Sequence, residues 1–406
     1  MKSKLQRNLA ILSLAACAAI AMHSQVLTGP AADDKPTVKD LDWSQHLVDS
    51  TLFRFPDARQ FGSWAYPRGL YLFGQYLVYK RTGDTRYLKY IEDWVDTHVD
   101  AEGQPDHQVH ALDDVLAANL FVVLYQETHE LRYKVAVESF RRGFDAFPRT
   151  RDGGFWHANT PSRKLQLWLD GNYMAVPFLL RYGQTFQDSQ YANQEAVRQL
   201  LVYHEHLKAA HHGLLYHAYD ESGQAPWADP HKHHSAYFWC RAIGWYGMTL
   251  VDTLDVLPKD NPDRGKLIHI LRDLVSDLDR YQDPQTGLWY EVIDKSTTPG
   301  NWTETSSSSM FTYVIDVAVK RGYISPKYHA TAEKGYRGVL TRISLGQDGL
   351  TNLTDICEGT NVGDLQFYLN RKRNTNDLHG LGAFLIMNEE WNTSVSSQRF
   401  TPQNGK

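Results

Sequence analysis

Apolar residues return every three to four positions along most of this chain. Tyr71-Leu72, Tyr76-Leu77 and Val78 form one such stripe; Leu112, Val115-Leu116, Leu120 and Val123-Leu124 form another. That spacing puts the apolar side chains on one face of an α-helix. Strand-like alternation is confined to short stretches, so the pattern predicts roughly eleven or twelve helices between residues 43 and 390. A repeat runs through them. Tyr79, Thr82 and Tyr87 return 46 residues later as Tyr125, Thr128 and Tyr133, and Tyr182, Thr185 and Tyr191 echo the set with one extra residue. Each set joins two helices across a polar turn, Arg81-Thr82-Gly83-Asp84 in the first and Glu127-Thr128-His129-Glu130 in the second. A period of this size is one helix pair.

A second motif follows the pairs: Gly154-Phe155-Trp156-His157, Gly213-Leu214-Leu215-Tyr216, Gly287-Leu288-Trp289-Tyr290 and Gly349-Leu350-Thr351-Asn352. If the hairpins form a ring, these turns fall at one end and line one mouth with aromatic and His side chains. An all-α closed ring of six helical hairpins accounts for the helix count, and an open solenoid is the alternative. Separate capping repeats are not evident and the polar residues gather in the turns, which favours closure. No linker interrupts residues 40–392, which read as one domain, and residues 393–406 read as a flexible polar tail.

The first residues break the helical rhythm. Met1-Lys2-Ser3-Lys4-Leu5-Gln6-Arg7 is basic, Leu9 to Met22 is apolar, and Ala19-Ile20-Ala21 offers a small-x-small cleavage site. Residues 1–21 therefore read as an export signal, followed by a linker over 22–39. Leu14-Ala15-Ala16-Cys17 resembles a bacterial lipobox, which would anchor the protein through a lipid on Cys17. The apolar residues after Cys17 favour simple cleavage. The expected location is the periplasm or the exterior. No other segment is long and apolar enough for a transmembrane span.

Composition narrows the partners. Lys and Arg number 42 against 47 Asp and Glu, a balance that argues against nucleic acid. Aromatic residues make up 12% of the chain, which suits sugar binding and also a large helical core. Cys240 and Cys357 do not make a disulfide framework and read as buried thiols. His231-Lys232-His233-His234 lacks a carboxylate at helical spacing and reads as a polar loop, so no metal is expected. Oligomeric state is left open.

The candidate chemistry centres on Asp170, inside the apolar, aromatic run Leu167-Trp168-Leu169-Asp170-Gly171-Asn172-Tyr173-Met174. Burial raises a carboxyl pKa and lets it deliver a proton near neutral pH. The competing reading is a helix cap. Asp113-Asp114 opens another apolar run, where one carboxylate is expected to cap the helix and the other to face the site. His217 alone reads as a structural histidine. Arg241, between Trp239 and Trp245, needs either an internal acid or a substrate carboxylate.

Taken together, these motifs resemble the unsaturated uronyl hydrolases of glycoside hydrolase family 105, among them the unsaturated rhamnogalacturonyl hydrolases. The likeness rests on Gly153-Gly154-Phe155-Trp156-His157, Trp168-Leu169-Asp170-Gly171-x-Tyr173-Met174 and Arg241-x-x-Gly244-Trp245-Tyr246. Leu112-Asp113, Asn352-Leu353-Thr354-Asp355-x-Cys357-x-Gly359-Thr360 and His379-Gly380-x-Gly382-Ala383-Phe384 extend it over nearly all of the body of the chain.

The resemblance implies an (α/α)6 barrel. It implies removal of a 4-deoxy-hex-4-enuronic acid from the non-reducing end of lyase-generated oligosaccharides of rhamnogalacturonan or ulvan type. The C4=C5 double bond is hydrated, with Asp170 as acid and Asp113 placing the sugar or water; no cofactor is required. It also implies sugar contacts from Tyr66, His157, Trp168, His217, Arg241 and Trp245, with Arg241 or His217 on the uronate carboxylate. Three features depart from the family pattern: a longer spacing from His157 to Asp170, Ile243 in place of a small or polar residue, and the His231–His234 loop. Two other classes fit the residues. One is a conventional inverting glycosidase using Asp113 and Asp170; a sugar epimerase on the same fold, with His157 and His217 as the acid–base pair, is a variant of it. The other is a non-catalytic exported sugar-binding protein.

Overall fold

The structure, a computed structural model, describes residues 41–211 and 213–393. The export signal, the linker up to residue 39 and the tail from residue 394 lie outside the described residues. Six helices form an inner ring: α2 (Tyr66–Thr82), α4 (Asn119–Thr128), α6 (Gly171–Phe186), α8 (Cys240–Val256), α10 (Thr305–Lys320) and α13 (Leu378–Trp391). Each packs on the next, and α13 packs on α2, so the ring is closed. The outer layer is α1 (Trp43–Arg54), α3 (Thr85–Val95), α5 (Leu131–Gly143), α7 (Ser189–Leu207), α9 (Arg264–Tyr281) and α11 (His329–Leu340). This is the expected closed (α/α)6 ring, with one refinement. Five pairs are sequential hairpins, whereas the sixth joins α13 to α1 across the whole chain.

Burial sorts the layers. Inner helices are the more deeply covered: α10 is buried continuously from Thr305 to Ala318. Outer helices bury one stripe, as Leu267, Ile270, Leu271, Leu274, Val275 and Leu278 do on α9. Ring closure needs close backbone approach. A Cβ at Gly382 of α13 would lie 2.6 Å from Leu70 Cγ and 2.9 Å from Tyr71 N on α2.

The sequence repeat has a structural cause. Thr82, Thr128 and Thr185 each lie in the last turn of an inner helix and donate their hydroxyl to the carbonyl four residues back, Val78, Leu124 and Arg181. The C-caps Gly83, His129 and Gln187 then take left-handed φ values of 73°, 58° and 61°, which reverse the chain into the outer helix. The opposite connections, from outer to inner helix, carry the Gly-apolar motifs. They are braced by short antiparallel pairs. Gln166–Trp168 (β1) pairs with Ala218–Asp220 (β2), and Trp289–Tyr290 (β3) with Thr303–Glu304 (β4). Ile343–Leu345 (β5) pairs with Thr351–Leu353 (β6), and Ile356–Cys357 (β7) with Arg373–Asn374 (β8). The short helix α12 (Leu365–Leu369) lies between the last two strands. No described helix is long and apolar enough to cross a membrane.

Candidate active site

Asp113 and Asp170 come from neighbouring outer-to-inner connections. Asp113 sits in a 3-10 turn over Leu112–Asp114 that packs against α6. Its neighbour Asp114 is the cap: the Asp114 carboxylate accepts from the backbone N–H of His110 at 3.0 Å and of Ala111 at 2.8 Å. Asp113 is thereby released toward the site. Asp170 precedes the first turn of α6, but its side chain makes no capping bond. Gly171 lets these elements meet, since a Cβ there would stand 2.8 Å from Leu112 Cδ1 and 3.3 Å from His157 Nδ1.

The two carboxyl groups are driven apart electrostatically. Burial pushes Asp170 above the usual carboxylate range, the negative charge of Asp113 adds to this, and the His157 cation opposes it. Burial also acts on Asp113, but His157 outweighs it and holds Asp113 below the usual range. His157 Nε2 lies 3.5 Å from Asp113 Oδ2. Burial pulls His157 down, but Asp113 and Asp170 together hold it above its ordinary value. One oxygen of each carboxyl group, Asp113 Oδ1 and Asp170 Oδ1, is buried without a hydrogen-bond partner. Such groups are costly unless something fills the site. The arrangement sets a carboxyl group that favours its proton beside a carboxylate that favours ionisation and an imidazole that favours its cation.

The remaining predicted residues surround this centre in different ways. Tyr66 opens α2 and its hydroxyl lies 2.7 Å from His379 Nε2 at the start of α13. His379 Nδ1 lies 2.6 Å from Asp377 Oδ1. Burial, with the nearby Arg241 charge, keeps His379 below its ordinary pKa, so a neutral ring donating to Asp377 and accepting from Tyr66 fits the geometry. Trp168 is only 6% exposed; the His157 ring stacks on it at 4.8 Å and the Arg163 guanidinium lies 4.2 Å from its ring centroid. The indole braces these two groups and has little face left for a sugar. His217 is fully buried, with Nδ1 2.8 Å from the Tyr368 hydroxyl and Nε2 unpartnered. Burial holds it well below its ordinary pKa, hence neutral. Trp245 is buried in the wall between α6 and α8, stacked on Tyr173 at 4.8 Å.

Arg241 is held from within the protein. Nη1 donates to the Cys357 carbonyl and Nη2 to the Glu358 carbonyl, both at 2.6 Å, and Nη1 lies 3.8 Å from Glu304. Two backbone carbonyls and an internal acid occupy much of the fork. Glu304 caps α10 by accepting from Ser306 N and Ser307 N, and it also accepts from Cys357 N. Behind it Glu291 accepts from Trp239 Nε1 at 2.8 Å and from Cys357 Sγ at 3.1 Å. Cys240 and Cys357 are buried free thiols, as expected. The His231–His234 loop is part of the outer-to-inner connection after α7 and folds back within it, where the His234 ring stacks on Tyr216 at 3.7 Å.

Sequence reasoning missed Arg163, Asp377 and Glu291. Arg163 stands in the polar stretch between His157 and Asp170, and Asp377 stands two residues before the His379-Gly380 motif.

The comparisons with known proteins agree with this fold. The model of Glycosyl Hydrolase Family 88 matches residues 43–394. A family 105 glycoside hydrolase structure from C. acetobutylicum superposes with a TM-score of 0.82 at 33% identity, covering 86% of this chain and 99% of that one. The chain belongs to this group of glycoside hydrolases, families 88 and 105. Among its relatives is the unsaturated rhamnogalacturonyl hydrolase YesR of Bacillus subtilis, 27% identical over 304 residues, 74% of this chain and 81% of that protein. An unsaturated glucuronyl hydrolase from Bacillus sp. GL1 shares the fold at 12% identity, with a TM-score of 0.64 over 84% of this chain and 93% of that one.

Proposed function

We propose that this protein hydrolyses lyase-generated oligosaccharides by hydrating the C4=C5 double bond of a terminal 4-deoxy-hex-4-enuronic acid. The observation that carries the reading is the split pair: Asp170 is pushed up by burial while Asp113 is held down by His157. An acid that keeps its proton beside a group that stays ionised is what protonation of an electron-rich alkene followed by water addition requires. Asp170 donates a proton to C4. Water adds at C5, where the developing positive charge lies, and loses its proton to the carboxylate that Asp170 has become. The product is a hemiketal at C5. It opens, and the rearranged sugar releases its aglycone. Asp113 and the His157 imidazolium position the sugar or the water. The named activity of YesR supports the substrate class, and rhamnogalacturonan or ulvan fragments are the parent oligosaccharides proposed. The basic, apolar start of the chain supports export before the reaction.

The test is ultraviolet absorbance, because the double bond conjugated to the carboxylate is a chromophore that hydration destroys. Wild-type protein should bleach unsaturated oligosaccharides from pectic rhamnogalacturonan or from ulvan, and Asp170→Asn should not. Sugar release from saturated oligosaccharides without bleaching of unsaturated ones would make the protein a conventional glycosidase. Binding without turnover of either kind would make it a sugar-binding protein.

A further inference from the structure

Arg163 is a cation that the hydration chemistry does not use. It lies on the connection between His157 and Asp170. Its guanidinium is 4.2 Å from the Trp168 ring centroid, and Nη2 donates to Asn361 Oδ1 at 2.9 Å. Asn361 belongs to the connection between β7 and α12, so this bond ties together two connections 198 residues apart in sequence. Leu165, between Arg163 and Trp168, takes a left-handed φ of 63°, and its carbonyl accepts from Glu221 N at 3.0 Å. That turn folds Arg163 back over its own strand. Among the described residues the guanidinium forms no ion pair, and its side-chain hydrogen bond is to a neutral amide.

An arginine held by stacking and one amide keeps a pre-organised fork at little entropic cost. A fork of this kind matches a carboxylate or a sulfate. Trp168, on which the guanidinium stacks, also stacks on His157, and His157 Nε2 lies 3.5 Å from Asp113 Oδ2, which places Arg163 near the reacting centre. It is partly exposed, while Arg241 is 1% exposed and bonded to backbone carbonyls. An enzyme that removes a terminal sugar takes that sugar deepest, so a residue nearer solvent meets the next one.

We propose that Arg163, stacked on Trp168 and tied to Asn361, forms a rim subsite for an oxyanion, a sulfate ester or a carboxylate, on the sugar next to the unsaturated uronate. This rests on the unsaturated-uronyl reading above. The test compares three unsaturated substrates: a uronyl–rhamnose disaccharide, the same disaccharide with a sulfate ester on rhamnose, and a uronyl–uronate disaccharide. Wild type should prefer at least one anionic substrate by about tenfold or more in kcat/KM, the scale of one charge-assisted hydrogen bond. Arg163→Ala should erase most of that preference, and Arg163→Lys, which keeps charge without the fork, should keep part of it. Equal losses on all three substrates, or no preference in wild type, would overturn the proposal. Unfolding midpoints of each variant separate a folding defect from a lost contact. If wild type bleaches none of the substrates, the reaction reading fails on its own. Calorimetric titration of the same disaccharides into Asp170→Asn then decides the subsite: anion-selective binding abolished by adding Arg163→Ala sustains it, and unselective or absent binding overturns it.

Discussion

Arg241→Lys distinguishes a wall-holding arginine from a substrate-binding one. In the folded protein the guanidinium spans two carbonyls, Cys357 and Glu358, each at 2.6 Å, from a site that is 1% exposed. Hydrogen bonds from a charged donor contribute about 1.5–3 kcal/mol each. A lysine ammonium is a point donor and cannot bridge both carbonyls, so one bond is lost and a buried carbonyl is left poorly paired. The same ammonium is harder to desolvate than a guanidinium. The expected cost is about 3 kcal/mol. With an unfolding entropy of about 2.1 cal/mol/K per residue over roughly 350 folded residues, this lowers Tm by roughly 4 °C. Differential scanning calorimetry gives the stability change, and initial rates with an unsaturated disaccharide give KM beside it. A variant with the wild-type Tm and a KM raised tenfold or more would refute the reasoning and return Arg241 to the uronate carboxylate.

Three further outcomes are expected. His157→Gln removes the charge that opposes burial at Asp170 and holds Asp113 down, so both groups should titrate higher; both limbs of the kcat/KM against pH profile should move to higher pH, and an unmoved or lowered profile would contradict the charge assignment. Glu291 is pushed by burial from 4.5 to about 7, so the folded state binds its proton more tightly and stability falls as pH rises through that window. The loss amounts to about 3 kcal/mol. Glu291→Gln should remove most of the fall, read as urea midpoints at pH values below and above the window, and an identical fall in both proteins would sink the assignment. Gly382→Ala forces a Cβ against Leu70 and Tyr71 at the ring closure and should cost about 1–3 kcal/mol in urea unfolding; a neutral substitution would show that α13 and α2 can separate.

The helical hairpins were legible because a repeating physical need leaves a repeating sequence. Thr82, Thr128 and Thr185 each satisfy a carbonyl at the same point of the same turn. Asp170 was legible because a carboxyl group in an apolar run is costly to keep ionised and stands apart from the solvated acids of the surface. The partition between Asp113 and Asp114 follows from their place at a helix start, where one acid is needed as a cap, and Asp114 takes that cap. Trp168 and Arg241 were harder. Aromatic and guanidinium groups suggest sugar contact by type, yet His157 and Arg163 of its own connection pack on Trp168, and the carbonyls on Arg241 come from a distant connection. Arg163 with Asn361 and α1 with α13 share the same difficulty. Each is a single long-range meeting that leaves no period in the chain.

The pairing of α1 with α13 also dictates an order of events. Ser44 and Asn388, whose side chains bond at 2.7 Å, are 344 residues apart. While the chain is being made, α1 lacks its packing on α13, and α2 and α10 each present an uncovered flank to water. Five hairpins can form locally, but the last stave arrives after nearly all the others. Closing so large a loop is slow, and until it closes the apolar flanks of α2 and α10 that α13 covers stay open to solvent.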